Sequence, residues 1–332
     1  MIKLGIIGTG GIAQLFVDAA QKSDYFKLTT VYSRHEETGQ AFLKENNVSG
    51  DIYTDLERFF AEGDFSAVYI ASPNSLHFAQ AKAAILADKD VIVEKPFVIN
   101  PTQWQLLYDL HQKHPDYLIF EAARHFHEEA FKAVSETLPS LGKIQGANLT
   151  YMKYSSKYDS YLDGKKPNIF TSKFAGGALQ DLGVYMIYDA IAWFGKPKEA
   201  CYHARMLPSG VDKMGTILLT YPDFDVTIHI GKTSNSYLPS EIYGGQETIV
   251  MDNAADLHEV KLVGPKAEMV IAKRSAAENP LLQEAQAFGK VLETRDQKAR
   301  QVAEKWLETS RLVNETLYAL RQDSGIVFDD EK

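Results

Sequence analysis

The opening "IKLGIIGTGGIAQLF" constrains the fold more than any other stretch of the chain. An apolar run stops at glycines and passes straight into a helical pattern, which reads as strand, tight turn and helix in immediate succession. Runs rich in β-branched residues recur at 27–33 ("KLTTVYS"), 66–72 ("SAVYIAS"), 90–95 ("DVIVEK") and 117–122 ("YLIFEA"). Helix-like segments separate them, as in "SLHFAQAKAAILADK", where Phe78, Ala81, Ile85 and Leu86 repeat at helical spacing. Strand alternating with helix predicts α/β architecture, a doubly wound parallel sheet covered on both faces, over residues 1–122.

Within that frame "GTGGIA", Gly8 to Ala13, fits G-x-G-x-x-A at the first strand-to-helix turn, where a dinucleotide's pyrophosphate meets a helix N-terminus. Gly8 makes the tight turn, Gly10 lets phosphates approach the backbone, and Ala13 lets helix and strand pack closely. Thr9, Gly11 and Ile12 complete the expected contact surface. An NAD-preferring site places Asp or Glu about 20 residues further on to bind the ribose hydroxyls. This chain has Ser33 and Arg34 there, in "VYSRHEE". A hydroxyl and a guanidinium suit a 2'-phosphate, so NADP is favoured, with NAD open if Glu36 or Glu37 serves the ribose. Two more loops leave strand ends on the ligand side of such a sheet. "ASPNSLH" offers Ser72, Pro73 and Asn74, with Ser75 as a helix N-cap and His77 as a cofactor-side contact or a helix-surface histidine. "EKPF" aims Glu94 and Lys95 into the crevice, and Pro96 fixes the chain direction.

From Lys143 the pattern changes to strand-like runs with short turns, including "TILLTY", "DVTIHIG", "SEIYG", "ETIVMD" and "HEVKLV". These predict a large, mainly antiparallel sheet in a second domain over 123–332, closed by helices from Asn279-Pro280 to near Gly325. Before that sheet lies "GGALQDLGVYMIYDAIAWF", residues 176–194. Asp181 and Tyr185 stand four apart and share one face of a helix. Gly176 and Gly177 read as a flexible helix entry or as a close backbone approach to the nicotinamide.

With "GTGGIA", "SPNSLH", "EKPF" and "GGALQDLGVY" in this order, the chain resembles the Gfo/Idh/MocA family of oxidoreductases. The resemblance implies a Rossmann domain followed by an α/β domain with a large sheet used for homodimer or homotetramer contacts. It makes Lys95 catalytic. Many members carry D-x-x-x-H where this chain has Asp181 and Tyr185; tyrosine there is similar to the branch of glucose-fructose oxidoreductase and the dimeric dihydrodiol dehydrogenases, where tyrosine is the acid/base and NADP is usual.

The expected chemistry is hydride transfer between nicotinamide and a sugar, polyol or related hydroxy or carbonyl compound. The carbonyl oxygen then gains or loses a proton, Tyr185 handles it, and a nearby cation such as Lys95 favours the phenolate and stabilises alkoxide charge. Asp181 is expected to orient Lys95 or a substrate hydroxyl. Arg124 and Tyr154 are substrate-side candidates, Tyr154 alongside Tyr158 and Tyr161 in "YMKYSSKYDSYLDGKKPN". His125 and His127 point apart on a helix and lack a third ligand, so no metal site is expected. Two alternatives remain: a nucleotide-binding regulator without turnover, and a relative that cleaves glycosides through transient oxidation by NAD. A net charge of -9 disfavours nucleic acid and anionic membrane as partners, and a small molecule is expected. The single cysteine, Cys201, and the lack of a long apolar segment fit a cytoplasmic protein.

Overall fold

The computed structural model describes residues 1–275 and 277–332. The chain forms two compact units, one of 1–124 with 279–311, the other of 125–278 with 312–332. The division therefore differs from a single cut at 122, because the 279–311 segment returns to the first unit. The reason is visible in its sequence. Leu281, Ala285, Phe288 and Leu292 form one helical stripe and join Leu4, Phe16, Phe26 and Phe120 in a buried core, with Phe288 stacked on Phe120 at 4.8 Å. Gly289 is required there, since a Cβ would lie 2.3 Å from the Tyr25 ring.

The first unit holds a six-stranded sheet in the order β3-β2-β1-β4-β5-β6. Its strands are β1 (Ile2–Ile7), β2 (Phe26–Tyr32), β3 (Asp51–Tyr53), β4 (Ala67–Ile70), β5 (Asp90–Glu94) and β6 (Ile119–Ala122), and all are parallel. That order reverses direction between β1 and β4, the switch point at which such sheets bind dinucleotides. Side chains alternate between two cores, as a doubly covered sheet demands. Tyr69 and Ile92 face the layer with Phe16 and Phe288, while Val68, Ile70, Val91 and Val93 face the layer with Ala84, Ile85 and Trp104. The three-residue β3 has too few residues to show alternation and escapes a sequence reading.

The second unit carries eight strands in the order β14-β13-β12-β11-β7-β10-β9-β8. They are β7 (Gly146–Met152), β8 (Glu199–Met206), β9 (Asp212–Thr220), β10 (Asp225–Gly231), β11 (Ser240–Tyr243), β12 (Thr248–Met251), β13 (Glu259–Val263) and β14 (Glu268–Lys273). Every pairing is antiparallel except β7 with β10, which run parallel in the sheet centre. Ile217, Leu219, Ile228, Ile230, Ile242 and Ile249 are buried, with the paired residues of β9 and β10 at alternate positions on their strands. The helix Val184–Phe194 is buried along nearly its whole length.

Candidate active site

In the first unit the helix Gly11–Lys22 starts from Gly10 with no side-chain cap and no acidic residue in its first turn. Its leading N–H groups lack intrahelical partners, as at any helix start. A Cβ on Gly10 or Gly11 would meet no atom within 4 Å, so this turn opens onto free space. Gly8 differs: its φ is +102°, and a Cβ there would lie 2.7 Å from the Ala71 carbonyl oxygen. Ala13 is fully buried, Thr9 is half-buried and Ile12 is exposed. An uncapped helix start with room above the glycines fits a pyrophosphate. At the end of β2, Ser33 is buried and its N–H donates to the Tyr53 carbonyl, while Arg34 is exposed.

The loops beyond β4 and β5 are built differently from the expectation. His77 is fully buried, and its two ring nitrogens lie 2.9 Å from the carbonyl oxygens of Pro96 and Ser72. Burial, the larger effect, holds the imidazole below its usual pKa against the raising influence of those carbonyls. His77 thus corrects both sequence readings: it ties the two loops together from inside and is neither a surface histidine nor a side chain free to reach a cofactor. Ser75 is likewise not a cap. It sits within the 3-10 turn Asn74–Leu76, and the helix His77–Leu86 begins without a side-chain cap. Ser72 donates to Gln80 at 2.6 Å, and Pro73 and Asn74 stay partly exposed beside it.

Glu94 is buried and accepts a hydrogen bond from the Tyr69 hydroxyl and a 3.2 Å bond from the Lys95 N–H. Desolvation raises its pKa, offset in part by the charges of Lys95 and Arg124. Lys95 is half-buried at the carboxyl end of β5, followed by a cis bond to Pro96. Glu121, a residue the sequence motifs do not include, anchors the chain just after Pro96: it accepts from the Phe97 N–H at 2.8 Å and from the Ser310 hydroxyl at 2.5 Å. A carboxylate inside the apolar run "YLIFEA" is the signal that marks it.

In the second unit the Asp181 segment is a π-helical turn, Leu179–Gly183, leading into the α-helix. Single π turns inside helices are rare and recur at functional sites. Its start is held by buried Asp212, which accepts from the Leu179 N–H at 2.7 Å and from the Tyr202 hydroxyl at 2.5 Å. Burial raises the Asp212 pKa. Gly176 and Gly177 owe their identity to this packing. A Cβ on Gly176 would lie 2.6 Å from the Ile169 backbone, and one on Gly177, at φ +115°, 2.1 Å from Asp212 Oδ1. On the side where a Cβ would point, protein atoms fill the space at both glycines.

Tyr185 is 8% exposed, its ring 4.9 Å from His125 and 5.6 Å from Tyr151. Asp181 pairs with the Lys232 ammonium at 2.5 Å. Lys232, a partner in the second unit that the sequence motifs do not include, comes directly after β10. His125 and His127 are both buried; His125 lies 3.2 Å from Asp189, and burial brings the His127 pKa down to about 3. Tyr154 is partly exposed and its hydroxyl donates to Asp159 at 2.6 Å, a bond that raises its pKa. Tyr158 and Tyr161 pack on Phe170. Arg124 ends the first unit just past β6, half-buried, where its charge acts on Glu94.

Comparison with known proteins decides the family. A family model described as "Oxidoreductase family, NAD-binding Rossmann fold" matches residues 2–121, and one described as "GFO/IDH/MocA C-terminal domain" matches 139–250. The chain belongs to the Gfo/Idh/MocA family. It is 34% identical over 328 residues to the uncharacterized oxidoreductase YgjR of Escherichia coli, covering 99% of this chain and 98% of that one. It is 33% identical to the scyllo-inositol 2-dehydrogenase (NADP(+)) IolU of Bacillus subtilis, again covering 99% and 98%. The crystal structure of KijD10, a 3-ketoreductase from Actinomadura kijaniata in complex with NADP and TDP-benzene, shares the fold at TM-score 0.82, with 20% identity and 97% of each chain covered. As a member of this family the protein is an NAD(P)-dependent oxidoreductase. No helix among the described residues is long and apolar enough to cross a membrane.

Proposed function

We propose that this protein is an NADP-dependent dehydrogenase of a polyol or sugar, with Tyr185 as acid/base and Lys95 as its electrostatic partner. The observation that carries the reading is Lys95 at the carboxyl end of β5, in a sheet of dinucleotide-binding order whose first turn opens onto space for phosphates. Ser33 and Arg34 at the end of β2 support NADP, since neither repels a 2'-phosphate. The 33% identity to IolU makes scyllo-inositol the first substrate to try.

When bound, the nicotinamide supplies or accepts the hydride. As a hydroxyl carbon is oxidised, the Tyr185 oxygen takes the hydroxyl proton; in reduction it returns that proton to the carbonyl oxygen. The Lys95 ammonium stabilises the alkoxide charge that develops between these states. His77, Glu94 and Glu121 fix the loop that carries Lys95. The Gly10–Gly11 turn would hold the phosphates, and Arg34 would pair with the 2'-phosphate.

The test is a screen of scyllo-inositol, other cyclic polyols, aldoses and dicarbonyls, with NADP and NAD, alongside Tyr185→Phe and Lys95→Ala. Loss of a positioned proton-transfer group lowers kcat by about 100- to 10,000-fold. Wild-type turnover surviving in Tyr185→Phe removes the acid/base assignment, and survival in Lys95→Ala removes the lysine's. We further propose a homodimer or a dimer of dimers formed through the second unit's sheet. Its strands expose Met206, Leu218, Met269 and Val270, and apolar side chains gain from being covered. Light scattering that returns a monomer at assay concentrations sinks this part.

A further inference from the structure

The loop "YMKYSSKYDSYLDGKKPN" gathers lysines in a chain of net charge -9, and the proposed reaction uses none of them. The fold draws them together. The short helix Tyr158–Leu162 is closed at Gly164, where φ is +81°, by bonds from the Gly164 N–H to the Tyr161 carbonyl and from the Lys165 N–H to the Ser160 carbonyl. This pair of reversed bonds needs a left-handed residue, which glycine supplies, and it turns Lys165 and Lys166 back beside Lys157 and Ser160. Pro167 then leads into the 3-10 turn Asn168–Phe170. Phe170 is fully buried, and the Tyr158 and Tyr161 rings pack on it at 5.6 and 5.4 Å, so aromatic contacts hold the loop in place.

Two open clefts meet at this loop, of about 510 and 850 Å³, the size of ligand sites. Lys165 and Lys166 line both; Lys157 and Ser160 line the first, and Lys173, Thr171 and Ser172 the second. Asp329 is the one carboxylate in either lining, and it is engaged, accepting from Ser172 at 2.9 Å and pairing with Lys332 at 2.7 Å. Among the described residues, Lys157, Lys165 and Lys166 have no carboxylate oxygen within 4.0 Å. Ammonium groups held together repel, and the cleft's own residues do not cancel their field. An anion that enters relieves that repulsion. A phosphate monoester, with up to two charges and three terminal oxygens, suits several lysines and hydroxyls better than a carboxylate with one charge and two oxygens. The turn beneath the cleft also supports the Asp181 segment. Lys232, which pairs with Asp181, donates to the Ile169 carbonyl at 3.4 Å and lies 4.9 Å from the centre of the Phe170 ring.

We infer that this basic cleft is a phosphate subsite for the substrate, with Lys157, Lys165 and Lys166 as its specificity-determining residues, so that the enzyme acts on a phosphate ester of a polyol or sugar. This rests on the dehydrogenase reading above and adds the substrate class to it.

The experiment uses the full chain saturated with NADP, and inorganic phosphate, D-glucose 6-phosphate and D-glucose as probes. Lysine acetylation read by mass spectrometry reports on the cleft directly. Inorganic phosphate and D-glucose 6-phosphate slow the modification of Lys157, Lys165 and Lys166, D-glucose does not, and exposed Lys82 and Lys298 of the first unit react at one rate throughout. In calorimetric titration Lys165→Ser/Lys166→Ser binds D-glucose 6-phosphate about tenfold or more weakly than wild type, the loss of charge-assisted hydrogen bonds, and added salt weakens the wild-type binding too. Both lysines are exposed, so the variant keeps the wild-type Tm, and it binds NADPH as wild type does. Protection by inorganic phosphate without protection by the ester overturns the substrate assignment. Lack of protection by either, or a loss of NADPH binding equal to that of the ester, overturns the site. Neither measurement needs turnover, so two failures are told apart. A Tyr185→Phe variant that keeps its turnover brings down the acid/base reading alone, and unprotected lysines beside a Tyr185→Phe variant that has lost turnover bring down the subsite alone.

Discussion

Two of the protein's three adjacent-glycine pairs, Gly10–Gly11 and Gly176–Gly177, look alike in the sequence and are required for opposite reasons. Side chains on Gly10 or Gly11 would extend into open space, whereas on Gly176 or Gly177 they would strike the Ile169 backbone and Asp212. The first pair leaves room for a ligand; the second admits the protein's own atoms. A glycine motif therefore reports only that something approaches the backbone closely, and the nature of that neighbour decides whether the position is a binding feature or a packing one.

The contrast breaks most forcefully at Gly177. Alanine there needs a left-handed backbone and pushes against a buried carboxylate, so Gly177→Ala costs about 2–4 kcal/mol of stability in chemical denaturation. A loss below about 0.5 kcal/mol, within the range of a surface substitution, contradicts the packing account. Gly10→Ala reverses the pattern. Gly10 has φ -83°, which alanine adopts freely, so stability stays within about 1 kcal/mol of wild type while NADPH affinity falls about 10- to 100-fold by titration. Equal NADPH binding in wild type and Gly10→Ala removes the phosphates from this turn. Arg34→Ala is a smaller probe of the same side: NADPH binding weakens about tenfold and NADH binding is unchanged, the loss of one charge-assisted contact. A matching loss for NADH shows that Arg34 serves both dinucleotides alike.

How much of this is legible in the sequence depends on range along the chain. The strand-turn-helix at 2–13, the Lys95 loop and the antiparallel runs are local patterns, and each appears in the structure where its sequence places it. The edge strands β14 and β8 are not legible, because "EMVIAK" and "EACYHARM" lack a clean alternation of apolar and polar residues. The partners of the site residues are the least visible. Asp212 and Lys232 lie 31 and 51 positions beyond Asp181 and reach its turn only through the pairing of β9, β10 and β7. His77 misleads for a physical reason: a histidine after a Ser-Pro-Asn turn suggests a ligand contact, and only the fold shows that two carbonyl oxygens flank its ring.

The last prediction concerns charge behind Tyr185. Asp189 is fully buried one turn further along the same helix, 3.2 Å from His125 Nε2, which in turn lies 3.1 Å from the Tyr185 carbonyl. Burial raises the Asp189 pKa well above the carboxylate range, and the neighbouring charge of Glu128, itself 3.7 Å from Arg274, raises it further. A group with a raised folded pKa holds its proton in the native state while the unfolded chain has released it. Its contribution to stability is therefore full below an ordinary carboxylate pKa of about 4 and is lost as pH rises toward the folded value, at about 1.4 kcal/mol per unit. Asp189→Asn keeps the shape and cannot ionise. The variant should equal wild type near pH 4 and exceed it by a margin that grows through neutral pH, seen as a Tm difference of a few degrees. Glu94, Asp90 and Asp212 are also raised by burial and tilt both curves in the same way, so the difference between them isolates Asp189. A difference that is flat from pH 4 to 8 means that Asp189 is ionised in the native state, with its charge met by His125 as a buried ion pair behind the Tyr185 helix.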